Sequence, residues 1–310
     1  MTTVNTVLGP VDANTLGFTL MHEHIRESSA GVPYTFPELF DHEDDVARGV
    51  AALNEAAAEG IGTIVNVTTM DLGRDMRLLQ DVAARVELHI VPATGLWLDI
   101  PRAIANGATP DQLAKAFIRE IEVGIEGTGI KAGVIKVATD QTGVTPEGEI
   151  ILRAAARAQK ATGVPISTHT WAPERVGDQQ VRIFEDEGVD LNRVYVGHSN
   201  DTTDMEYLLG LLRKGVWIGL DRYPGGSRPN TPDWEGRTET AKKLIDAGFG
   251  HRIMLSHDWS ARSMISAQEL QATRLQYNPD GYSFIARRVL PRLRELGVAE
   301  EAVNKIVVDN

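Results

Sequence analysis

Two histidines one residue apart, in Met21-His22-Glu23-His24-Ile25, are the first side chains along the chain whose types and spacing suit chemistry. With Phe18, Leu20 and Ile25 around them they read as the end of a short buried strand. Side chains two apart on a strand project from the same face, so His22 and His24 point into one space while Glu23 points away. Two neutral imidazoles converging there make half of a metal site; a hydrogen-bonded pair at a strand end is the alternative. Further metal-binding or titratable residues recur at or near the ends of later apolar runs: Lys136 in Val134-Ile135-Lys136-Val137-Ala138, His169 after Ile166-Ser167-Thr168, His198 after Val196-Gly197, and Asp258 after Leu255-Ser256-His257. Each alone has a structural reading, as a strand cap or turn residue. Independent accidents would not all choose the same ends.

Lys136 is the unusual member. A lysine inside an apolar run must be desolvated, paired, or turned outward so that its stem snorkels along the surface. Beside metal ions a positive charge is repelled, so it is useful there only when neutral, and burial lowers a lysine pKa. A neutral amine combines with carbon dioxide to give a carbamate, whose two oxygens could bridge two metals. The absence of cysteine excludes disulfides and thiolate ligands, leaving imidazole and oxygen donors. His42, His89, His251 and His257 read as structural.

The elements that must position these residues alternate. After a polar opening with a small hairpin around Gly9-Pro10, strands are expected at 17–25, 61–67, 88–94, 133–138, 164–169, 194–198, 216–221 and 253–258. Helices are expected at 43–60, 74–86, 110–123, 147–162, 176–187, 203–214, 239–247 and 282–296. Near-continuous apolar strands separated by amphipathic helices describe a parallel sheet covered on its outside. Eight such units most economically close into a (β/α)8 barrel, and no Gly-rich phosphate turn follows the first strand as an open doubly wound sheet would usually require. The expectation is therefore an α/β protein, a (β/α)8 TIM barrel forming a single domain over 1–310 with a short N-terminal extension at 1–16. In a barrel the strand ends form one ring, which makes neighbours of residues far apart in sequence.

Composition limits the partners. The chain has 310 residues, 42% hydrophobic and 24% charged, the balance of a globular protein. A net charge of -12 argues against a nucleic-acid backbone, which needs clustered Lys and Arg. No segment reaches the ~18 apolar residues of a membrane span, and the N-terminus lacks the basic start and apolar run of a signal peptide. A cytoplasmic enzyme acting on a small molecule is expected.

The ordered set of motifs resembles the phosphotriesterase family of the amidohydrolase superfamily across essentially the whole chain. It comprises Met21-His22-Glu23-His24-Ile25, Ser28-Ser29-Ala30-Gly31, Ala93-Thr94-Gly95-Leu96-Trp97, Val134-Ile135-Lys136-Val137-Ala138-Thr139, Thr168-His169-Thr170, Val196-Gly197-His198-Ser199, Gly219-Leu220-Asp221-Arg222 and Ser256-His257-Asp258-Trp259. The resemblance implies a (β/α)8 hydrolase with two divalent metal ions, zinc first among them, with manganese, cobalt and iron also suited. His22, His24 and Asp258 would hold the more buried ion, and His169 and His198 the more exposed one. A carboxylated Lys136 and a hydroxide would bridge the pair. Asp258 would also accept the hydroxide's proton and Asp201 would relay it outward. A homodimer is implied as well.

The substrate markers conflict. Family phosphotriesterases often carry histidine after the Gly-Leu-Asp of strand seven and the related lactonases arginine; this chain has Arg222, followed by Tyr223. Trp97 and Asn278-Pro279-Asp280-Gly281 resemble the phosphotriesterase side. The expected activity is hydrolysis of organophosphate triesters, of the aryldialkylphosphatase type, with a lactonase (acyl-homoserine or other lactones) of promiscuous esterase activity as the alternative. Trp97, Arg222, Tyr223 and Met264 are the expected substrate contacts, Arg222 also serving catalysis. Two rivals use the same residues: a one-metal, deaminase-like hydrolase in which Lys136 is structural, and a barrel that binds a small molecule without turnover.

Overall fold

The β-branched and apolar runs form strands and the Ala-, Glu- and Arg-bearing segments between them form helices, in the order the alternation requires. The computed structural model describes residues 2–141, 143–226, 228–263 and 274–310. An antiparallel hairpin of β1 (Thr3–Thr6) and β2 (Gly9–Asp12) opens the chain. There follow β3 (Phe18–Glu27), β4 (Ile61–Asn66), β5 (His89–Gly95), β6 (Val134–Ala138), β7 (Ile166–His169), β8 (Val194–Val196), β9 (Trp217–Leu220), β10 (Ile253–Leu255) and β11 (Ser260–Ser263). Each strand from β3 to β10 pairs in parallel with the next, and β11 pairs in parallel with β3.

The expected strand 253–258 is corrected by this topology: it is one interrupted strand, β10 lying on β9 and β11 on β3. The carboxylate of Glu23 causes the break, because it accepts the Ser256 hydroxyl at 2.7 Å and the His257 and Trp259 backbone N–H groups at 2.9 Å each. Those donors are turned toward Glu23 and away from a straight ladder. The break also closes the sheet on itself, since the Asp258 N–H donates to His22 O at 3.1 Å and the His24 N–H to Trp259 O at 2.8 Å. The fold is a (β/α)8 barrel with its helices outside; Leu20, Ile64, Ile135, Ile166, Val196 and Ile218 are fully buried in its main apolar core, and Val65, Val67, Val91, Ala93 and Val134 form a second cluster.

Helix starts follow side-chain caps, whose oxygens satisfy backbone N–H groups that the first turn leaves unpaired. Asp41 caps His42–Ala58, Asp75 caps Met76–Ala83, and Thr109 with Gln112 forms a capping box on Pro110–Glu122. The expected helix 239–247 starts earlier, at Trp234, because Asp233 accepts from the Gly236 N–H at 2.9 Å; it runs Trp234–Leu244 and ends in a wide turn. The expected helix 282–296 is likewise divided, a wide turn Ile285–Val289 preceding Leu290–Glu295, where Pro291 has no N–H to continue a regular ladder.

One glycine sets the depth of Lys136. Gly95 pairs with Lys136 in the β5–β6 register at a φ of +111°, and a Cβ there would sit 1.8 Å from the Lys136 carbonyl oxygen. Only glycine lets the two strand ends close this tightly. Among the described residues no helix is long and apolar enough to cross a membrane.

Candidate metal centre

The barrel brings His22 and His24 from β3, Lys136 from β6, His169 from β7, His198 from the turn after β8 and Asp258 from the β10–β11 break to one mouth. The Lys136 amine lies 2.7 Å from His22 Nε2, and His198 Nε2 lies 2.8 Å from His169 Nδ1. The Asp258 carboxylate reaches both halves: Oδ1 is 3.6 Å from His22 Nε2 and 3.3 Å from His24 Nε2, and Oδ2 is 3.8 Å from His198 Nε2. All these side chains except Asp258 are buried. His198 and Asp258 both have left-handed backbone, φ +57° and +54°, a conformation uncommon outside glycine that clusters at functional sites.

The outward nitrogens are pinned by a further ring of groups, and this ring the sequence did not reveal. Asp221, fully buried, accepts from His22 Nδ1 at 2.8 Å, His198 Nδ1 at 2.9 Å, the His198 N–H at 2.6 Å and the Tyr195 hydroxyl at 2.9 Å. A carboxylate only accepts, so both Nδ1 atoms carry hydrogens and both Nε2 lone pairs face the mouth. Gly197 makes room for this: a Cβ there would stand 2.1 Å from Thr168 O and 3.0 Å from the Asp221 carboxylate. His24 Nδ1 lies 2.8 Å from the Thr68 hydroxyl, and His169 Nε2 lies 3.5 Å from Asp140. Asp221 belongs to a motif that the sequence marks, but as one acid at a strand end it reads like a turn residue. Glu23 does point away from the mouth, as alternation predicts, yet it is buried and shapes the segment carrying Asp258.

The electrostatics keep these groups ready to ligate. Burial lowers His22 and His198, and lowers His169 to about 4, so the imidazoles are neutral at physiological pH. Burial would raise Asp221 and Asp258, but the imidazoles around each outweigh it and hold both carboxyls well below their ordinary range. Lys136 is 1% exposed and has no carboxylate within ion-pair distance among the described residues, and burial brings its amine down to about 8. A buried ammonium without a paired counter-charge is costly.

This arrangement fits a pair of first-row divalent cations. Nitrogen and oxygen donors converge in a buried cluster, Asp221 fixes the tautomers of His22 and His198 from behind, and burial favours the neutral form of the Lys136 amine.

Above the ring is a cavity of about 610 Å³ whose lining includes Asp201, Arg222, Tyr223, Arg228, Asp258 and Trp259. Arg222 donates to Asp258 Oδ2 at 3.2 Å and to Asp201 Oδ2, while Arg237 donates to Asp201 Oδ1 at 2.9 Å. Trp97, expected on the substrate wall, lies beside His169, its indole N–H 3.4 Å from Nδ1, and lines a cavity of about 250 Å³. Tyr223 lines the larger cavity but is almost wholly buried. Met264 lies outside the described residues. Of the histidines read as structural, His257 uses both nitrogens, at 2.7 Å from Glu23 and 3.1 Å from the Ile285 N–H.

Comparison with known proteins agrees with this geometry. Residues 2–310 match the model of the phosphotriesterase family. The chain is 41% identical to the phosphotriesterase homology protein of Mycobacterium tuberculosis, covering 100% of this chain and 96% of that protein. It is 35% identical to the aryldialkylphosphatase of Saccharolobus solfataricus, covering 97% of this chain and 95% of the other. A solved structure of the phosphotriesterase from Mycobacterium tuberculosis superposes with a TM-score of 0.93 at 40% identity, over 100% of this chain and 97% of that one.

Proposed function

The chain belongs to the phosphotriesterase family of metal-dependent hydrolases, and from that premise we propose that its barrel mouth holds two divalent cations and opens ester-type bonds. The observation that carries the reading is the convergence of His22, His24, Lys136, His169, His198 and Asp258, with Asp221 fixing one imidazole from each half. His22, His24 and Asp258 would hold one cation and His169 and His198 the other. When bound, such a pair polarises a phosphoryl or carbonyl oxygen and acidifies water towards a pKa of ~7. Zinc suits the donor set best, with manganese, cobalt and iron also compatible.

The protein's own groups complete the assignment. The deprotonated form of the Lys136 amine would add to carbon dioxide, forming an N–C bond and releasing one proton, and the resulting carboxylate would offer oxygen donors to the cations. Asp258 accepts a proton from the attacking water while Arg222 holds its Oδ2. The outward route expected through Asp201 meets Arg222 first, and a guanidinium keeps its protons at neutral pH. In this reading Asp201 positions Arg222 and Arg237, and Arg222 offers positive charge where the substrate oxygen becomes negative.

Organophosphate triesters are the first substrate class, supported by the relation to an aryldialkylphosphatase. Lactones are the second, favoured by a cavity wall that includes Arg222, Arg228 and Arg274 where a purely apolar leaving group would gain nothing from charge. The test is turnover of an aryl dialkyl phosphate, an acyl-homoserine lactone and an aryl acetate by the zinc-loaded protein, against zinc alone. Turnover at the metal-ion background for all three overturns the reading.

Arg222→His separates the two classes. It removes the charge that favours a carbonyl substrate with polar substituents, so the ratio of phosphotriester to lactone turnover is expected to rise about tenfold. An unchanged ratio excludes Arg222 as the selector.

A further inference from the structure

The cavity's charges are matched with one exception. Arg222 is paired with Asp201 and with Asp258 at 3.2 Å, Arg237 with Asp201 at 2.9 Å, and Arg274 with Glu27 at 3.6 Å. Arg228 also lines the cavity, yet among the described residues its guanidinium has no ion pair or hydrogen bond. Its guanidinium carbon stands over the Trp171 ring, 6.0 Å from the centroid, an aromatic face that attracts the cation without neutralising it. The side chain is exposed at the cavity wall; desolvation and the charge of Arg222 lower its proton affinity, while Asp201, Asp258 and Asp140 act in the opposite sense. Four guanidiniums thus share one cavity, and among the described residues three are paired and that of Arg228 is not.

We propose that Arg228 is a specificity determinant that captures an oxyanion, a carboxylate or a phosphate monoester, carried at the far end of the substrate from the bond that is cut. The planar guanidinium presents paired N–H donors suited to such a group, and Trp171 supplies a flat wall beside it. A neutral triester has nothing to offer there, so this subsite belongs to the lactone reading of the site and rests on it. The preferred substrate is a lactone or related cyclic ester whose side chain ends in an anion.

The test compares an alkyl γ-lactone with lactones of graded chain length ending in a carboxylate or a phosphate, using the zinc-loaded full chain. The wild type is expected to prefer the best anionic lactone in kcat/KM by about tenfold, the scale of one hydrogen bond to a charged group. In Arg228→Ala that preference disappears, and Arg228→Lys keeps part of it; a merely structural defect lowers both substrates alike and leaves the ratio. Preference for phosphate over carboxylate, or the reverse, identifies the anion. A preference that survives in Arg228→Ala means that the cations or another group capture the anion, and overturns the proposal. A second measurement needs no turnover: the corresponding carboxylate-tailed γ-lactam should quench tryptophan fluorescence at concentrations about tenfold below the alkyl lactam, an advantage lost in Arg228→Ala and absent from Trp171→Phe. Equal binding of the two lactams by the wild type overturns the subsite. Absence of turnover for every lactone strikes the lactone reading instead, and the lactam titration then decides the subsite separately.

Discussion

Lys136→Ala is expected to lower turnover by about 10³-fold, corresponding to the several kcal/mol of transition-state charge stabilisation that a two-cation centre supplies. Metal analysis of the purified variant should give about one equivalent or less where the wild type gives about two. Lys136 sends its amine from β6 to within 2.7 Å of His22 Nε2, and β6 pairs directly with β7, the strand that carries His169. Among the described residues no carboxylate pairs with it, and the proposed carbamate would give this buried amine a role that an ion pair does not. Alanine removes the bridge but leaves a cleft lined by the same imidazoles, and a short carboxylic acid such as propionate fits that cleft and can restore part of the metal content and activity. A chelator-stripped wild type provides the reference: its activity should be lost and then return with added zinc alone. If Lys136 is structural, the variant keeps its metal ratio or fails to respond to acid, and the one-metal rival gains. A stripped wild type that retains full activity removes the cations from the reaction altogether.

The ring of candidate ligands was legible because each member follows an apolar run, and the alternation of strands and helices brings such ends together whatever the distances in sequence. What lay behind the ring was not. Asp221 touches His22 although β9 and β3 are not neighbours in the sheet; only closure through the interrupted β10 and β11 places it there. That interruption depends on Glu23, whose four hydrogen bonds with Ser256, His257 and Trp259 span more than two hundred residues of chain. No local propensity encodes such a contact. The shifted helix start at Trp234 is a milder case: Asp233 is a good cap, but it sits in a polar stretch that also reads as loop. Arg228 carried no motif, and its importance arises from what its neighbours already hold.

Asp221→Asn provides the second large effect and tests whether that outer ring matters. The change keeps the volume of the side chain, so no cavity forms, but it replaces an acceptor-only group by one that accepts through a single oxygen and donates through its amide. The wild-type carboxylate receives two imidazole N–H groups through different oxygens, Oδ2 from His22 and Oδ1 from His198. Asparagine can accept only one of them. The other imidazole then meets an amide N–H, shifts its hydrogen to Nε2 and turns a donor towards the mouth where a lone pair is needed. One half of the site therefore loses a ligand, and both halves lose the negative charge that stands behind them. Activity and affinity for the weaker-held cation should each fall about 100-fold, the upper end of the range for groups that orient metal ligands. The far-UV circular dichroism should remain that of the wild type, because the strands on either side of Asp221 keep their backbone pairing. Raising the zinc concentration should recover part of the activity but not all, since occupancy returns while the charge does not. Affinity within about twofold of the wild type would mean that the imidazoles hold their tautomers without Asp221, and that the convergence of Nε2 atoms is set by strand geometry alone.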